Sequence, residues 1–212
     1  MVSISSDHSP GFSTIYRALM TRLRSINRAE LSGDQTELWD TIIDSRGGGD
    51  LELLNEEGGL VGPFNAFVHS PKIGKRLTSL GGLLRFRTTI ERRLSEVAIC
   101  TVGAHWHSEF EFWAHAPMAL EHGVAASVID ALREGRPPEF EHDDERVVHA
   151  VTSQLLNNRR VAAATFSEGE ALLGETGMVE LAALVGYYCL ISMVLNLFEV
   201  PLAPGETPAW PN

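Results

Sequence analysis

The stretch Leu181-Ala-Ala-Leu-Val-Gly-Tyr-Tyr-Cys-Leu-Ile-Ser-Met-Val-Leu-Asn-Leu-Phe198 is 18 consecutive residues without a charge. Whether it crosses a membrane or lies inside a helical bundle decides the fold. By length alone it is enough to span a bilayer. Acidic Glu180 and Glu199 flank it, Gly186, Ser192 and Asn196 interrupt it, and no basic residues mark a cytoplasmic side. It is therefore expected as a buried central helix, or as a helix between copies of the chain, with no membrane as partner.

Outward from that run the pattern is helical almost throughout, and no stretch alternates cleanly enough for a strand. Phe12 to Ile26 carries apolar residues at helical spacing, and Asp34-Gln-Thr-Glu37 has capping-box spacing for a helix to Ser45, ended by Gly47-Gly-Gly49. Pro63 to Val68 and Pro71 to about Phe86 open with prolines suited to a first turn. Thr88 to Val102, broken near Gly103, then Ser108 to Glu121, Ala125 to Glu134, Glu141 to Asn157, Val161 to Leu173 and Met178 to Phe198 complete the series. The expected fold is an all-α single-domain bundle. Residues 1–61 hold the N-terminal helices and a Gly-rich loop, 62–201 the core, and 202–212 a Pro-rich extended tail.

Of the 212 residues, 44% are hydrophobic and 21% charged, with 28 acidic against 17 basic side chains and a net charge of −11. Such a chain repels phosphate backbones and anionic lipid, so nucleic acid is not an expected partner. Cys100 and Cys189 lie in apolar runs without metal-ligand or redox spacing and read as small buried hydrophobes in a reducing, cytoplasmic setting. The N-terminus lacks the pattern of a secretory signal.

Chemistry-bearing residues are densest in Glu96-Val-Ala-Ile-Cys-Thr-Val-Gly-Ala-His105-Trp-His107-Ser108-Glu109-Phe-Glu111-Phe-Trp-Ala-His115. On a continuous helix His107, Glu111 and His115 stack along one face. A carboxylate beside an imidazole in a partly apolar pocket suits proton transfer at neutral pH. Two structural readings compete. Ser108 and Glu111 have the spacing of a capping box, and Trp106, Phe110, Phe112 and Trp113 have the character of core. His122, His142 and His149 are expected on the surface.

Several ordered motifs then point to a family: Gly62-Pro-Phe-Asn65-Ala-Phe-Val-His69-Ser70-Pro71, Arg93-Leu-Ser-Glu96, Glu109-Phe-Glu-Phe-Trp-Ala-His115-Ala-Pro117-Met-Ala-Leu120, Leu184-Val-Gly-Tyr-Tyr188 and Leu195-Asn196-Leu-Phe-Glu199-Val-Pro201. Together they resemble the carboxymuconolactone decarboxylase family, which shares its fold with the alkylhydroperoxidase D proteins. The peroxidase branch has a glutamate, a CxxC pair whose first cysteine follows twelve residues later, and a histidine four residues beyond the second. Here Glu96 and His115 match, whereas Ser108 and Glu111 stand at the cysteine positions. Thiol peroxidase chemistry needs a thiolate and a resolving partner, so it is not expected.

The decarboxylase branch needs neither cofactor nor redox cysteine. The resemblance implies Glu96, Glu111 and His115 as acid–base residues, with Trp106, His107 and Ser108 shaping a substrate pocket. It puts Asn65, His69 and Asn196 in motifs near the site, although Asn65 and Asn196 also read as helix-end caps. The expected activity is decarboxylation or isomerisation of a small organic acid, lactone or carbonyl compound, in a homo-oligomer that the resemblance makes a trimer or hexamer, with a dimer as the smaller option. Two other readings stand beside it. One is an antioxidant or stress protein with a decayed redox site, acting as a binding subunit. The other is a metal enzyme using His107, Glu111 and His115, disfavoured because ends eight residues apart on a helix are about 12 Å apart.

Overall fold

The computed structural model describes residues 21–46 and 53–210. Among them are a 3-10 turn, Arg28–Glu30, and eight α-helices: α1 Gly33–Arg46, α2 Pro63–His69, α3 Pro71–Phe86, α4 Arg92–His105, α5 Glu109–Glu121, α6 Ala126–Arg133, α7 Asp143–Asn158 and α8 Ala163–Leu197. No strand occurs among the described residues. Two isolated bridges, Asn27 to Gly59 and Leu54 to Leu60, pin the loop ahead of α2. The fold is the all-α single-domain bundle that the sequence predicts.

The architecture centres on α4, which α5, α6, α7 and α8 surround. Residues 94–103 are all buried, so α4 is enclosed on every side and not only on the one apolar face the sequence suggests. Its start differs from expectation. The Thr89 N–H and Oγ1 both donate to Glu180 Oε2 of α8 at 2.7 Å, which holds residues 88–91 out of the helix. Nor does Gly103 break it. The helix runs on to His105, and Gly103 lies buried against Phe112 of α5.

The expected helices Val161 to Leu173 and Met178 to Phe198 are both present as the two arms of α8, separated by a kink where Gly174 leaves the helical conformation at φ 67 and ψ 175. Glycine takes that conformation without the steric penalty of a Cβ. One face of the uncharged run is buried: Leu181, Leu184, Val185, Tyr188, Ile191 and Leu195. Each large aliphatic side chain so enclosed contributes about 1.5–3 kcal/mol. The opposite face leaves Val179, Leu190, Met193 and Leu197 exposed, with Ala183 and Gly186 between them.

Most of the first expected helix, residues 12–20, and the Gly47-Gly-Gly49 break lie outside the described residues. Its described end, Thr21 to Ile26, is not helical. Asn65 takes up this backbone by donating to the Arg24 carbonyl at 3.0 Å and accepting from the Ile26 N–H at 3.2 Å. The Arg22 N–H donates to Phe198 O at 2.8 Å. These long-range bonds replace the local ones a helix would make. The capping box expected on Asp34 and Glu37 does not form, and the helix start is held instead by Gln35, whose Oε1 accepts from the Ser32 N–H and hydroxyl.

The tail is docked. Glu109 accepts the Ala209 and Trp210 N–H groups at 2.6 and 2.8 Å, and the Trp210 ring stacks on His107 with centroids 4.9 Å apart.

Candidate active site

Between α4 and α5 the chain turns in three residues, and His107 at the apex takes a left-handed φ of 44. The Ser108 N–H donates back to Gly103 O at 2.9 Å, closing the turn. His107 is therefore not on the α5 face with Glu111 and His115. Its ring turns outward onto Trp210, and the three-residue stack expected from the spacing reduces to two. The competing cap reading also fails, because Ser108 makes no side-chain cap bond and its buried Oγ has no partner among the described residues.

Glu111 is released from capping and faces His115 one turn on, with Oε1 at 3.1 Å from Nε2. The other ring nitrogen, Nδ1, lies 2.7 Å from Oε2 of Glu96, which α4 presents from a fully buried position. One imidazole is thus held between two carboxylates. Only the imidazolium donates to both. Arg92, one turn before Glu96, approaches the other Glu96 oxygen at 2.6 Å. Tyr188 packs edge-on to the His115 ring at 5.1 Å.

The electrostatics follow from this geometry. Burial disfavours the charged imidazole, but the Glu96 charge and the hydrogen bonds to Glu111 and Glu96 outweigh it and hold the His115 pKa above its usual value. Burial likewise pushes the Glu96 carboxyl up, and the cations His115, Arg92 and Arg85 reverse this, leaving its pKa below the usual 4.5. Burial raises the Tyr188 phenol well above 10 and the Tyr187 phenol to about 12, so both stay protonated. Tyr187 donates to Leu77 O, and the bare Gly81 gives its hydroxyl room against α3.

Glu111, His115 and Tyr188 line a cavity of about 70 Å³ with Arg46, Phe64, Arg85, Phe110, Met118 and Tyr187 among its other walls. A wider hollow of about 510 Å³ lies elsewhere, lined by Arg28, Trp39 and Asp40. Arg28 and Asp40 pair with each other there at 2.9 Å, and the lining contains no histidine. The smaller cavity is the one that meets reactive groups.

The structure brings together Glu96, Glu111 and His115 and leaves the other expected residues outside this lining. Trp106 packs against the core, and Asn196 Nδ2 donates to its carbonyl at 2.8 Å. His69 Nε2 lies 3.0 Å from the Arg24 carbonyl, and Asn65 holds the same segment from within α2. Asn65 caps no helix end, whereas Asn196 caps the end of α4 through that Trp106 carbonyl. His149 is half-buried beside Phe140 and not on the surface with His122 and His142. Among the described residues no three His, Cys, Asp or Glu side chains converge on a metal-sized point. Both His115 nitrogens already face carboxylates. Burial keeps Cys100 and Cys189 as thiols, raising both pKa values.

Arg46, Arg85, Tyr187 and Tyr188 were not singled out from sequence as site residues. For Arg85 a signal existed. Gly74, Thr78, Gly81 and Leu84 mark the buried face of α3, and Arg85 follows Gly81 by one helical turn. Arg46 carries no such signal, since its place depends on how α1 packs.

No family model and no curated protein matches the chain. Among solved structures it is similar to an uncharacterized peroxidase-related protein from Ralstonia eutropha JMP134, described as an alkylhydroperoxidase AhpD core. That likeness has a TM-score of 0.67 at 13% identity and covers 87% of this chain and 93% of that one. A protein of unknown function from Agrobacterium tumefaciens, described as an antioxidant-defence AhpD candidate, aligns with a TM-score of 0.59 at 14% identity, over 67% of this chain and 97% of that one. The fold is therefore AhpD-like.

Proposed function

We propose that the protein is a cofactor-independent acid–base enzyme of the decarboxylase or isomerase kind, similar to carboxymuconolactone decarboxylase, acting on a small organic acid, lactone or carbonyl compound. The observation that carries this reading is the His115 imidazole held between two buried carboxylates at the wall of a small cavity. His115 is the proton donor. In decarboxylation the carbon–carboxylate bond breaks, CO₂ leaves, and the electron pair stays behind as an enolate. The carbanion carbon then takes the proton from His115 Nε2. Glu111, at 3.1 Å from that nitrogen, passes a solvent proton back to it. Glu96 is a positioning residue: it keeps Nδ1 protonated and the ring oriented.

A raised imidazole pKa favours the charged, proton-donating form of the ring. Redox chemistry is the weaker reading. Ser108 and Glu111 occupy the positions where the resemblance expects a cysteine pair, and neither Cys100 nor Cys189 is poised as a thiolate. The exposed α8 seam from Val179 to Leu197, with Ala183 and Gly186 allowing close approach, supports assembly with further copies of the chain.

The test uses the full chain in D₂O with γ-lactone carboxylic acids and β-keto acids, following CO₂ release and deuterium at carbon by NMR. Catalysed deuterium incorporation is the expected result. Absence of both CO₂ release and exchange across the two compound classes overturns the reading.

A further inference from the structure

Four arginines in the described chain are half-buried while the others are exposed: Arg46, Arg85, Arg92 and Arg93. Arg92 holds Glu96, and Arg93 holds Asp144 and Glu145. Arg46 and Arg85 have no carboxylate partner among the described residues, and both line the cavity that contains Glu111 and His115. Arg85 turns one donor on the Met118 sulfur at 3.2 Å, a weak acceptor, while its buried Nε has none. Arg46 lies over the Phe64 ring at 5.5 Å.

Half-buried guanidiniums with no carboxylate partner among the described residues leave donors that an arriving anion can take. With His115 protonated, three cations in the cavity lining, Arg46, Arg85 and His115, face one carboxylate, Glu111, while behind the lining Arg92 pairs with Glu96. That local positive excess stands inside a chain of net charge −11. It is a feature of the cavity, not of the overall composition.

We propose that Arg46 and Arg85 form the anchor for the carboxylate of a small planar, unsaturated or aromatic acid, so that α1 is part of the active site. The guanidinium forks match a carboxylate in shape. Phe64, Phe110 and Tyr188 supply flat apolar walls for the remainder of the ligand. A cavity of about 70 Å³ limits it to a small molecule. Burial and the neighbouring Arg85 and Arg92 charges push the Arg46 guanidinium pKa down. The proposal rests on the acid–base reading of the same cavity, and it adds which end of the substrate is held and by what.

Binding to the full chain is measured by calorimetry with benzoate, its neutral analogue benzamide, and inorganic phosphate. Benzoate is expected to bind saturably and at least about tenfold more tightly than benzamide. Arg46→Gln and Arg85→Gln should each weaken benzoate by about tenfold or more and leave benzamide unchanged. The wild-type comparison stands even where a variant folds poorly. Equal binding of benzoate and benzamide, tighter binding of phosphate, absence of saturable benzoate binding, or benzoate binding unaffected by both substitutions in folded protein overturns the anchor. Benzoate binding that prefers the charged acid and is lost in Arg46→Gln or Arg85→Gln supports the anchor even if proton exchange is never found and the acid–base reading falls. Charge-indifferent binding beside intact exchange removes the anchor alone.

Discussion

Arg92 and Arg93 are neighbours on α4, about 100° apart around the helix, and each reaches a glutamate with almost no exposure: Glu96 at 0% and Glu145 at 1%. The two sites end differently. On the Arg93 side the guanidinium binds both Asp144 oxygens and Glu145 Oε1 at 2.6–3.2 Å, a closed ion cluster that ties α4 to α7. On the Arg92 side the charges lead through Glu96 to His115 and Glu111 and so to a cavity. Each side also has a shielded histidine. His115 has a carboxylate on either nitrogen and its pKa is raised, whereas His149, one turn after Glu145, meets only Ser153 Oγ at 3.1 Å and burial pushes it down to about 4. Burial alone favours the neutral histidine, and burial with counter-charges favours the charged one.

The contrast breaks most visibly by deleting the donor. His115→Gln is expected to lower turnover by about 10² to 10⁴, the usual contribution of a positioned acid or base, and Glu111→Gln to lower it in the same direction. Rates are measured beside melting temperature. A His115→Gln protein with undiminished turnover would move the chemistry to another part of the cavity.

The opposite substitution belongs to the closed side. Glu145→Ala should cost about 1.5–3 kcal/mol of stability by removing a charge-assisted hydrogen bond from the Arg93 cluster, which Asp144 still holds, and leave turnover of the folded protein unchanged. Chemical denaturation checks the first and steady-state kinetics the second. A stability loss below about 1 kcal/mol would mean that Asp144 alone satisfies Arg93.

This division explains how much could be read in advance. Helix order was legible because prolines at Pro63 and Pro71 and the long apolar runs are local signals. Glu96, Glu111 and His115 were legible as well, the latter two from i, i+4 spacing and Glu96 from the family motif. What failed depended on distant atoms. The turn at His107 is set by where α4 can hand over to α5, and the non-helical Thr21 to Ile26 by its bonds to Asn65 and Phe198. Arg46 enters the cavity only through the packing of α1, and His149 is shielded by Phe140 from another segment. Nothing adjacent in sequence records these.

Titration sharpens the comparison further, because the two histidines contribute stability in opposite pH ranges. The folded pKa of His115 lies above 6.5, so its contribution is complete below 6.5 and is lost as pH rises through the raised value. Glu96, below 4.5 in the fold, contributes above 4.5 and loses this as pH falls through its folded value. His149, at about 4 in the fold, contributes above 6.5 and loses this between 6.5 and about 4, a contribution on the order of 3 kcal/mol. NMR titration of the imidazole Hε1 protons, with denaturation at several pH values, should give one histidine titrating above 6.5 and one far below it. Coincident titration of the two would erase the distinction.

The smallest expected effect comes from giving His149 what His115 has. Ser153 follows His149 by the same single turn that separates Glu111 from His115, and its hydroxyl already lies 3.1 Å from Nε2. Ser153→Asp puts a carboxylate on that nitrogen at the cost of burying a second charge. The opposing terms should leave overall stability within about 1 kcal/mol of the parent. The imidazole itself should respond strongly, since a carboxylate within hydrogen-bond reach typically raises a shielded cation's pKa by about 1–3 units. His149 should then titrate well above its original value of about 4. The shift should fall short of His115, because one nitrogen, not two, faces an anion. If His149 in Ser153→Asp still titrates near 4, carboxylate contact is not what separates the two histidines. The enclosure by α4, α5 and α8 around His115 would then have to be the cause.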